Sequence, residues 1–461
     1  MMGDQMGKDS PLARADLESL EGSVEGRIIL PGDEEYDELR RVFNGSVDHR
    51  PSLILRCNGP GDVAEGVAFA REHDVLLSVK AGGGSVSGSS IQEDGMVLDL
   101  GLMKDIVIDE DGRTARVGPG LTWGELNKKA QAAHLAVPCG VFSSAGISGH
   151  TLDGGVGWLM GSYGLTADNL VSADVVTADG ELVAASAEDH PDLFWALRGA
   201  GGNFGAVTSF TYKLHSVSKV YGGTVAWPMS MAIEVLRGAR RLMKTIPDEL
   251  DIILTLTEVP ALGPAVAGLI CYNGEAKQGE KALDPLIRVG RPDIDSLEMT
   301  SYHGLSKVAE PAVPTGLINY WRSGFMTGLS DDSIKALVSM ARSLPSDESA
   351  LHIWCHHGKV CRPRPDAAAF PHREKQFNVH LAAAWKEPRS NTRNTAWANR
   401  GWGEMKHHLT GAGYAGFTSR SEGSPARLFK GNQGRLQELK SKYDPGSMFR
   451  PEHAISPAGL R

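Results

Sequence analysis

Three glycine-rich stretches between Lys80 and Gly205 constrain this chain more than any other feature. The first is Lys80-Ala81-Gly82-Gly83-Gly84-Ser85-Val86-Ser87-Gly88. The second is Gly146-Ile147-Ser148-Gly149-His150-Thr151-Leu152-Asp153-Gly154-Gly155-Val156-Gly157. The third is Arg198-Gly199-Ala200-Gly201-Gly202-Asn203-Phe204-Gly205. Glycine takes positive φ freely and lets backbone approach a ligand with no Cβ in the way. Successive turn N–H groups form anion-binding concavities. Three such stretches predict one large, extended, phosphate-bearing ligand held mostly by backbone.

A length of 461 residues suits two domains or one large elaborated unit. With 41% hydrophobic and 22% charged residues, the composition is that of a globular protein. A net charge of −9 argues against nucleic acid as a partner. No apolar run reaches the ~18 residues that span a bilayer, and the polar stretch 1–25 lacks the apolar core of a signal peptide. The five cysteines are odd in number and scattered, without metal-site spacing. Reduced thiols in a cytoplasmic protein are the expectation, and oligomeric state is left open.

Along the chain, residues 1–45 read as a leader that joins the fold late. From Pro51 a β-α-β pattern begins: Leu53 to Leu55, a helix from Asp62 to Glu72, then Leu76 to Val79 and Met96 to Leu100. It predicts a small parallel sheet with the first glycine stretch at a strand's carboxyl end. Short strands follow (Ile106 to Ile108, Thr114 to Val117, Ala173 to Thr177, Val207 to Leu214), read as a mixed sheet. Thr122 and Glu125 form a capping box, and Pro191 suits a first helical turn. Beyond a boundary near 215–223, helices capped by Ser230 and Ser330 alternate with strands at 252–256, 265–272, 351–356 and 377–384. A helix from Leu428 to Tyr443 precedes Tyr443-Asp444-Pro445-Gly446-Ser447-Met448-Phe449-Arg450.

The order and spacing of these stretches, with Asp192-Leu193-Phe194-Trp195-Ala196-Leu197-Arg198-Gly199, Tyr163-Gly164-Leu165-Thr166 and the terminal Tyr-Asp-Pro, resemble the vanillyl-alcohol oxidase / p-cresol methylhydroxylase superfamily of flavoproteins. Within it they look most like the berberine-bridge-enzyme-like oxidases. The resemblance implies an α+β fold: an FAD-binding domain over 1–217 (core about 47–217) with a small parallel and a mixed sheet, a substrate domain over 218–425 built on an antiparallel sheet flanked by helices, and a segment, 426–461, returning to the first domain. It implies FAD contacts at Lys80, Gly82, Gly83, Gly84, Ser85 and Gly88, at Gly146, Ser148, Gly149, His150, Gly154, Gly155 and Gly157, and at Asn203, Gly205, Val207 and Tyr443. The family's first stretch usually reads Arg-Gly-Gly-Gly-His, the His bonded covalently to flavin; here that position is Gly84. A second attachment position, Cys in some members, is Phe142, and Cys139 falls three residues too early. Lys80 replaces the usual Arg, Asp153 a Gly and Ser447 an Asn. FAD bound without a covalent link is therefore the expectation.

Four residues are candidates for chemistry. His150 matches a family His that bonds the ribityl chain and ring edge, where it would stabilise charge on reduced flavin; otherwise it caps its own turn. Asn378 and His380 share one face of an alternating strand, a face that looks over the flavin in relatives. Tyr414 resembles the family Tyr-x-Asn, with Gly416 in place of the Asn, and acts as a base if a neighbouring cation lowers its pKa. Ala145 matches an oxygen-gating position, and its small side chain favours an oxidase that passes hydride from an alcohol, amine or C–H substrate to flavin and on to O2. The alternatives are a non-redox cyclase with FAD as a prop and a binding protein with dead chemistry. Tyr320 and Trp321 are possible pocket linings. The histidines His352, His356, His357, His407 and His408 show no metal-binding pattern.

Overall fold

A computed structural model describes all residues except 1–13, 311–313, 420, 421, 423, 452, 460 and 461. Two small sheets form a floor and a large one forms a roof. In the first sheet, Leu53–Arg56, Met96–Asp99 and Leu77–Lys80 run parallel, and Arg27–Ile29 pairs antiparallel at the edge. Part of the expected late-joining leader is thus an edge strand of this sheet, while residues 1–13 of it lie outside the described residues. The chain's end also returns here, with Phe449 bridging to Leu77.

The second sheet orders its strands Ile106–Asp109, Thr114–Val117, Ala206–Lys213, Leu170–Val176 and Leu182–Ser186. Every pair is antiparallel, not mixed as the sequence suggested. Two hairpins flank a strand that inserts antiparallel to both, and no crossover links neighbours in the parallel sense. At the first hairpin Asp109 accepts from the Gly112 N–H at 2.9 Å.

The roof is eight-stranded and antiparallel. Five consecutive strands lie in the order Gly263–Tyr272, Leu250–Val259, Ala350–His356, Gln376–Trp385 and, at the edge, Ile318–Met326. Alternation assigns its faces. Leu351, Ile353, Phe377, Val379 and Leu381 pack against Leu236, Leu337 and Trp397 of the outer helices. Trp354 and Phe325 face the other way, into a core shared with Trp123, Phe370 and Tyr414.

Local signals mostly hold. The Thr122–Glu125 capping box, the Pro191 helix start and the Ser330 cap are all present. Ser230 caps nothing: it lies within a 3-10 turn, Met229–Met231, and the helix starts at Ala232 behind Met231. The expected helix from Leu428 breaks into Pro425–Phe429 and Gln433–Tyr443, because Lys430 takes φ 44°.

Candidate active site

The three glycine stretches meet at the top of the floor, but most of their glycines serve the protein itself. A Cβ on Gly82 would stand 3.1 Å from the Gly146 Cα, so the first two stretches touch backbone to backbone. Gly88 abuts Val47, Gly154 the Phe370 ring, Gly155 the Thr166 and His150 side chains, Gly157 the Cys139 carbonyl and Gly205 Val175. Gly83, with φ 62°, packs near Lys80 and Val42. Three glycines, one per stretch, face free space: Gly84, Gly149 and Gly202 have no atom within 4 Å of where a Cβ would be. The cradle is thus open at one point in each stretch, and a long flavin nucleotide fits it. Gly84 does not have positive φ, so a side chain there would meet no backbone strain.

The polar residues assigned to the cofactor mostly have partners within the fold. Lys80 Nζ lies 3.2 Å from Asp99. Ser148 donates to the Pro119 carbonyl at 2.7 Å, and Ser85 bonds Ser87 at 2.8 Å. Asn203 donates to Ala200 and His453 carbonyls and accepts from the Ile455 N–H, anchoring the chain's end. Tyr443 donates to Asp192 at 2.7 Å. Val207 is buried in its strand. Of the sequence-assigned set, Gly84 and Gly149 thus keep an open side toward a ligand.

His150 likewise has a local partner. Its Nε2 lies 3.0 Å from the Val156 carbonyl and must donate to it. Nδ1 is then an acceptor, and it has no partner among the described residues. Burial lowers the imidazole to about 4, so it is neutral near pH 7. Nε2 thus closes His150's own loop, the turn-capping alternative, and leaves Nδ1 as the ring atom with no partner among the described residues. Asp153, three residues on, is raised by burial to about 7.

Tyr414 reaches the same loop from the stretch that follows the roof helix Asn391–Met405. It is buried, and its oxygen faces the Gly155 and Val156 backbone N–H groups. Burial and the nearby Asp153 both raise its pKa. The sequence reading required a cation there; the neighbour beside Tyr414 is instead the Asp153 carboxyl, which favours the neutral phenol. A Cβ on Gly416 would lie 3.1 Å from the Tyr414 ring, so a side chain there would press on that ring.

On the roof, Asn378 and His380 do share the floor-facing side. Asn378 is tied to Ser323 at 2.9 Å. His380 is 3% exposed, with neither ring nitrogen bonded among the described residues. It stacks on Phe417 with centroids 4.7 Å apart and planes at 6°. Burial, then neighbouring His352, push its pKa well down. Trp321 faces the same space, whereas Tyr320 points to the helix layer and bonds Asn399. Ala145 is partly buried beside Phe142 in the floor core. Cys139 Sγ lies 3.0 Å from Tyr302 Oη, and burial raises its pKa to about 11, so it is a packed thiol and no substitute tether. Among the described residues no His, Cys, Asp or Glu group is arranged to hold a metal, and no helix is long and apolar enough to cross a membrane.

Sequence reasoning missed the straps that join floor to roof. The loop between Ala350–His356 and Gln376–Trp385 descends onto the floor: Phe370 N–H bonds the Arg198 carbonyl and its ring fills the gap beside Gly154. Arg373 grips Asp168 with two 2.7 Å bonds. Asn44 bonds Val86 and Asn319, stitching the first segment to the roof edge. Lys440, wholly buried, reaches Asp444 at 2.5 Å and the Asn203 and Phe449 carbonyls. Only the charge pattern Lys440…Asp444, four apart, hinted at this pair.

This architecture is that of a two-part flavoprotein oxidoreductase, and comparison with known proteins agrees. Residues 51–186 match the FAD binding domain family, and residues 413–456 match the family described as berberine and berberine like. An FAD-linked oxidoreductase of Dictyostelium discoideum is 30% identical over 442 residues, covering 94% of this chain and 95% of that protein. (R)-6-hydroxynicotine oxidase of Paenarthrobacter nicotinovorans is 30% identical, covering 95% and 98%. The crystal structure of 6-hydroxy-D-nicotine oxidase from Arthrobacter nicotinovorans superposes with a TM-score of 0.86 at 28% identity, covering 94% of this chain and 98% of that one. The chain belongs to the berberine-bridge-enzyme-like family of FAD-linked oxidoreductases.

Proposed function

We propose that this enzyme is an oxidase that holds FAD without a covalent bond and oxidises a small-molecule alcohol, amine or C–H substrate, with O2 as the final acceptor. The observation that carries it is the cradle: one open glycine per stretch, with no nucleophile at Gly84 or Phe142. Gly84, Gly149 and Gly202 would bring backbone against the cofactor, which when bound supplies the hydride acceptor. The roof excludes water with Trp321, Trp354 and Phe417. Neutral His380, with two nitrogens unpartnered among the described residues, would hydrogen-bond the substrate's reacting group, while Tyr414 and Asn378 orient it. Ala145 leaves the floor uncrowded for oxygen. The five unpaired cysteines suit a reducing, cytoplasmic setting.

The test is anaerobic mixing of holoenzyme with candidate substrates, followed by air. Bleaching of the flavin and its return with peroxide support the oxidase. A turned-over substrate with flavin colour unchanged throughout would identify a non-redox cyclase instead, and ligand binding with neither would leave a dead binding protein.

A further inference from the structure

Asp153 puts a carboxyl into a cradle otherwise built from backbone. It follows the short helix Ile147–Leu152, and its N–H bonds the Gly149 carbonyl at 3.0 Å. Here the second and third glycine stretches join, the Gly201 N–H donating to the Leu152 carbonyl at 3.0 Å. The Asp153 side chain turns into this seam, with Oδ1 3.3 Å from where a Cβ on Gly201 would be. The open points of the two stretches are Gly149, whose carbonyl Asp153 bonds, and Gly202, beside Gly201. The carboxyl thus sits at the edge of the ligand space, and it is partly exposed. Its φ of −82° suits any residue, so the backbone demands neither this Asp nor the family's Gly.

No group among the described residues offsets a negative charge on Asp153. His150, on the adjoining helix, is lowered to about 4 and is neutral. Tyr414, arriving from beyond the roof helix, presents a phenol whose pKa is raised. The cations of the surrounding elements are engaged elsewhere: Lys80 with Asp99, Arg373 with Asp168, Lys440 with Asp444, and Arg198 with the Phe194 and Ala367 carbonyls. Burial alone acts on the carboxyl and moves it up to about 7.

Resting on the reading of FAD held without a covalent bond, we propose that Asp153 couples FAD binding to the uptake of one proton, so that the protein keeps its cofactor below neutrality and loosens it in alkali. With FAD in the cradle, the carboxyl would lose its remaining water and share the site with diphosphate charge. Both effects disfavour its ionised form. Its pKa in the loaded protein then lies above the value of about 7 it has here, so affinity is constant below that pH and falls as pH rises beyond it. The proton comes from solvent and returns there on release, and it tightens FAD by the same factor by which FAD tightens the proton.

The experiment dilutes wild-type, Asp153→Asn and Asp153→Gly holoenzyme at pH 6, 7 and 8.5 and reads free flavin by fluorescence at equilibrium. Wild-type affinity should fall about 10-fold between pH 7 and 8.5, while both variants change by less than about 2-fold and bind FAD more tightly than wild type at the upper pH. A second measurement takes the infrared difference between wild-type and Asp153→Asn holoenzyme at pH 8, where the protonated carboxyl should show its C=O band. A flat wild-type affinity, equal slopes in all three proteins, or no carboxyl band would overturn the proposal. Flavin that stays on the protein through acid denaturation would refute the non-covalent reading alone, and the carboxyl band then decides whether Asp153 keeps its proton beside the cofactor.

Discussion

The floor and the roof of the site handle side chains in opposite ways. The floor removes them: its glycines bring three backbone stretches together and leave only Gly84, Gly149 and Gly202 open. The roof concentrates them: Gln376–Trp385 is buried along its whole length, and every second residue points at the floor. A backbone-built surface suits a ligand common to a whole family, because amides recognise phosphate and ribityl groups whatever the substrate. A surface built from side chains varies position by position, and substrate choice belongs there. The floor should therefore fail mainly in stability or cofactor retention, and the roof in ligand selection.

The largest effect should come from beneath the floor. Lys440→Met leaves Asp444 buried without its cation, and should cost about 3–5 kcal/mol in denaturant unfolding. Substituting both members with apolar residues should recover much of that loss. A cost under about 1 kcal/mol would show that the chain's end is not clamped as described.

Next come two glycines that look alike in sequence. Gly154 has φ 111° and a Cβ there would meet the Phe370 ring at 2.6 Å. Gly154→Ala should lose about 2–4 kcal/mol, part of it returned by Phe370→Ala in a double-mutant cycle. Gly149 is helical and open, so Gly149→Ala should leave stability unchanged or raised by about 0.5–1 kcal/mol while FAD retention falls. Equal destabilisation by both would erase the distinction between packing and ligand glycines.

The pH dependence separates buried carboxyls from buried histidines. Asp153 and Asp251 are raised by burial from 3.8 to about 7. The folded state binds their protons more tightly, so this contribution is fully favourable below pH 3.8 and is lost as pH rises through about 7. His150 and His352 are lowered to about 4, and His356 and His372 to about 3. Their contribution is intact above pH 6.5 and is lost as pH falls toward those values. Melts should show stability dropping on acidification below about pH 6.5. Asp153→Asn should gain about 1–3 kcal/mol at pH 8 and little at pH 4, reduced from the full three-unit shift because this residue is only partly buried. A gain equal at both pH values would mean that Asp153 is not held protonated.

The smallest effect concerns His150. With its Nε2 closing the loop on Val156, His150→Ala should cost about 0.5–1.5 kcal/mol and some flavin retention. The flavin potential of the remaining holoenzyme should stay unchanged. A lowered potential would restore His150 to the cofactor's electronics.

The floor was readable because positive φ and close backbone approach demand glycine locally, so sequence shows it wherever the chain folds. The β-α-β start, the Thr122 capping box and the alternation around Asn378 and His380 were legible for the same reason. Which partner each glycine spares was not: Phe370 meets Gly154 only because a roof loop descends onto the floor, a contact set by tertiary docking. Tyr414 was placed in the site, but its environment was misjudged, since the Asp153 beside it comes from another segment. Asn44 was read as leader because the hydrogen bonds that give it a role lie on the far strand. Ser230 shows the limit of cap signals, as a 3-10 turn takes the position it was expected to fill.

The central claim is that a cradle with no nucleophile at Gly84 or Phe142 holds FAD by non-covalent contacts alone. Acid precipitation of the purified yellow protein tests it most directly. The account predicts a colourless pellet, with all the flavin in the supernatant. A yellow pellet that yields a flavin-bearing peptide by mass spectrometry would contradict it.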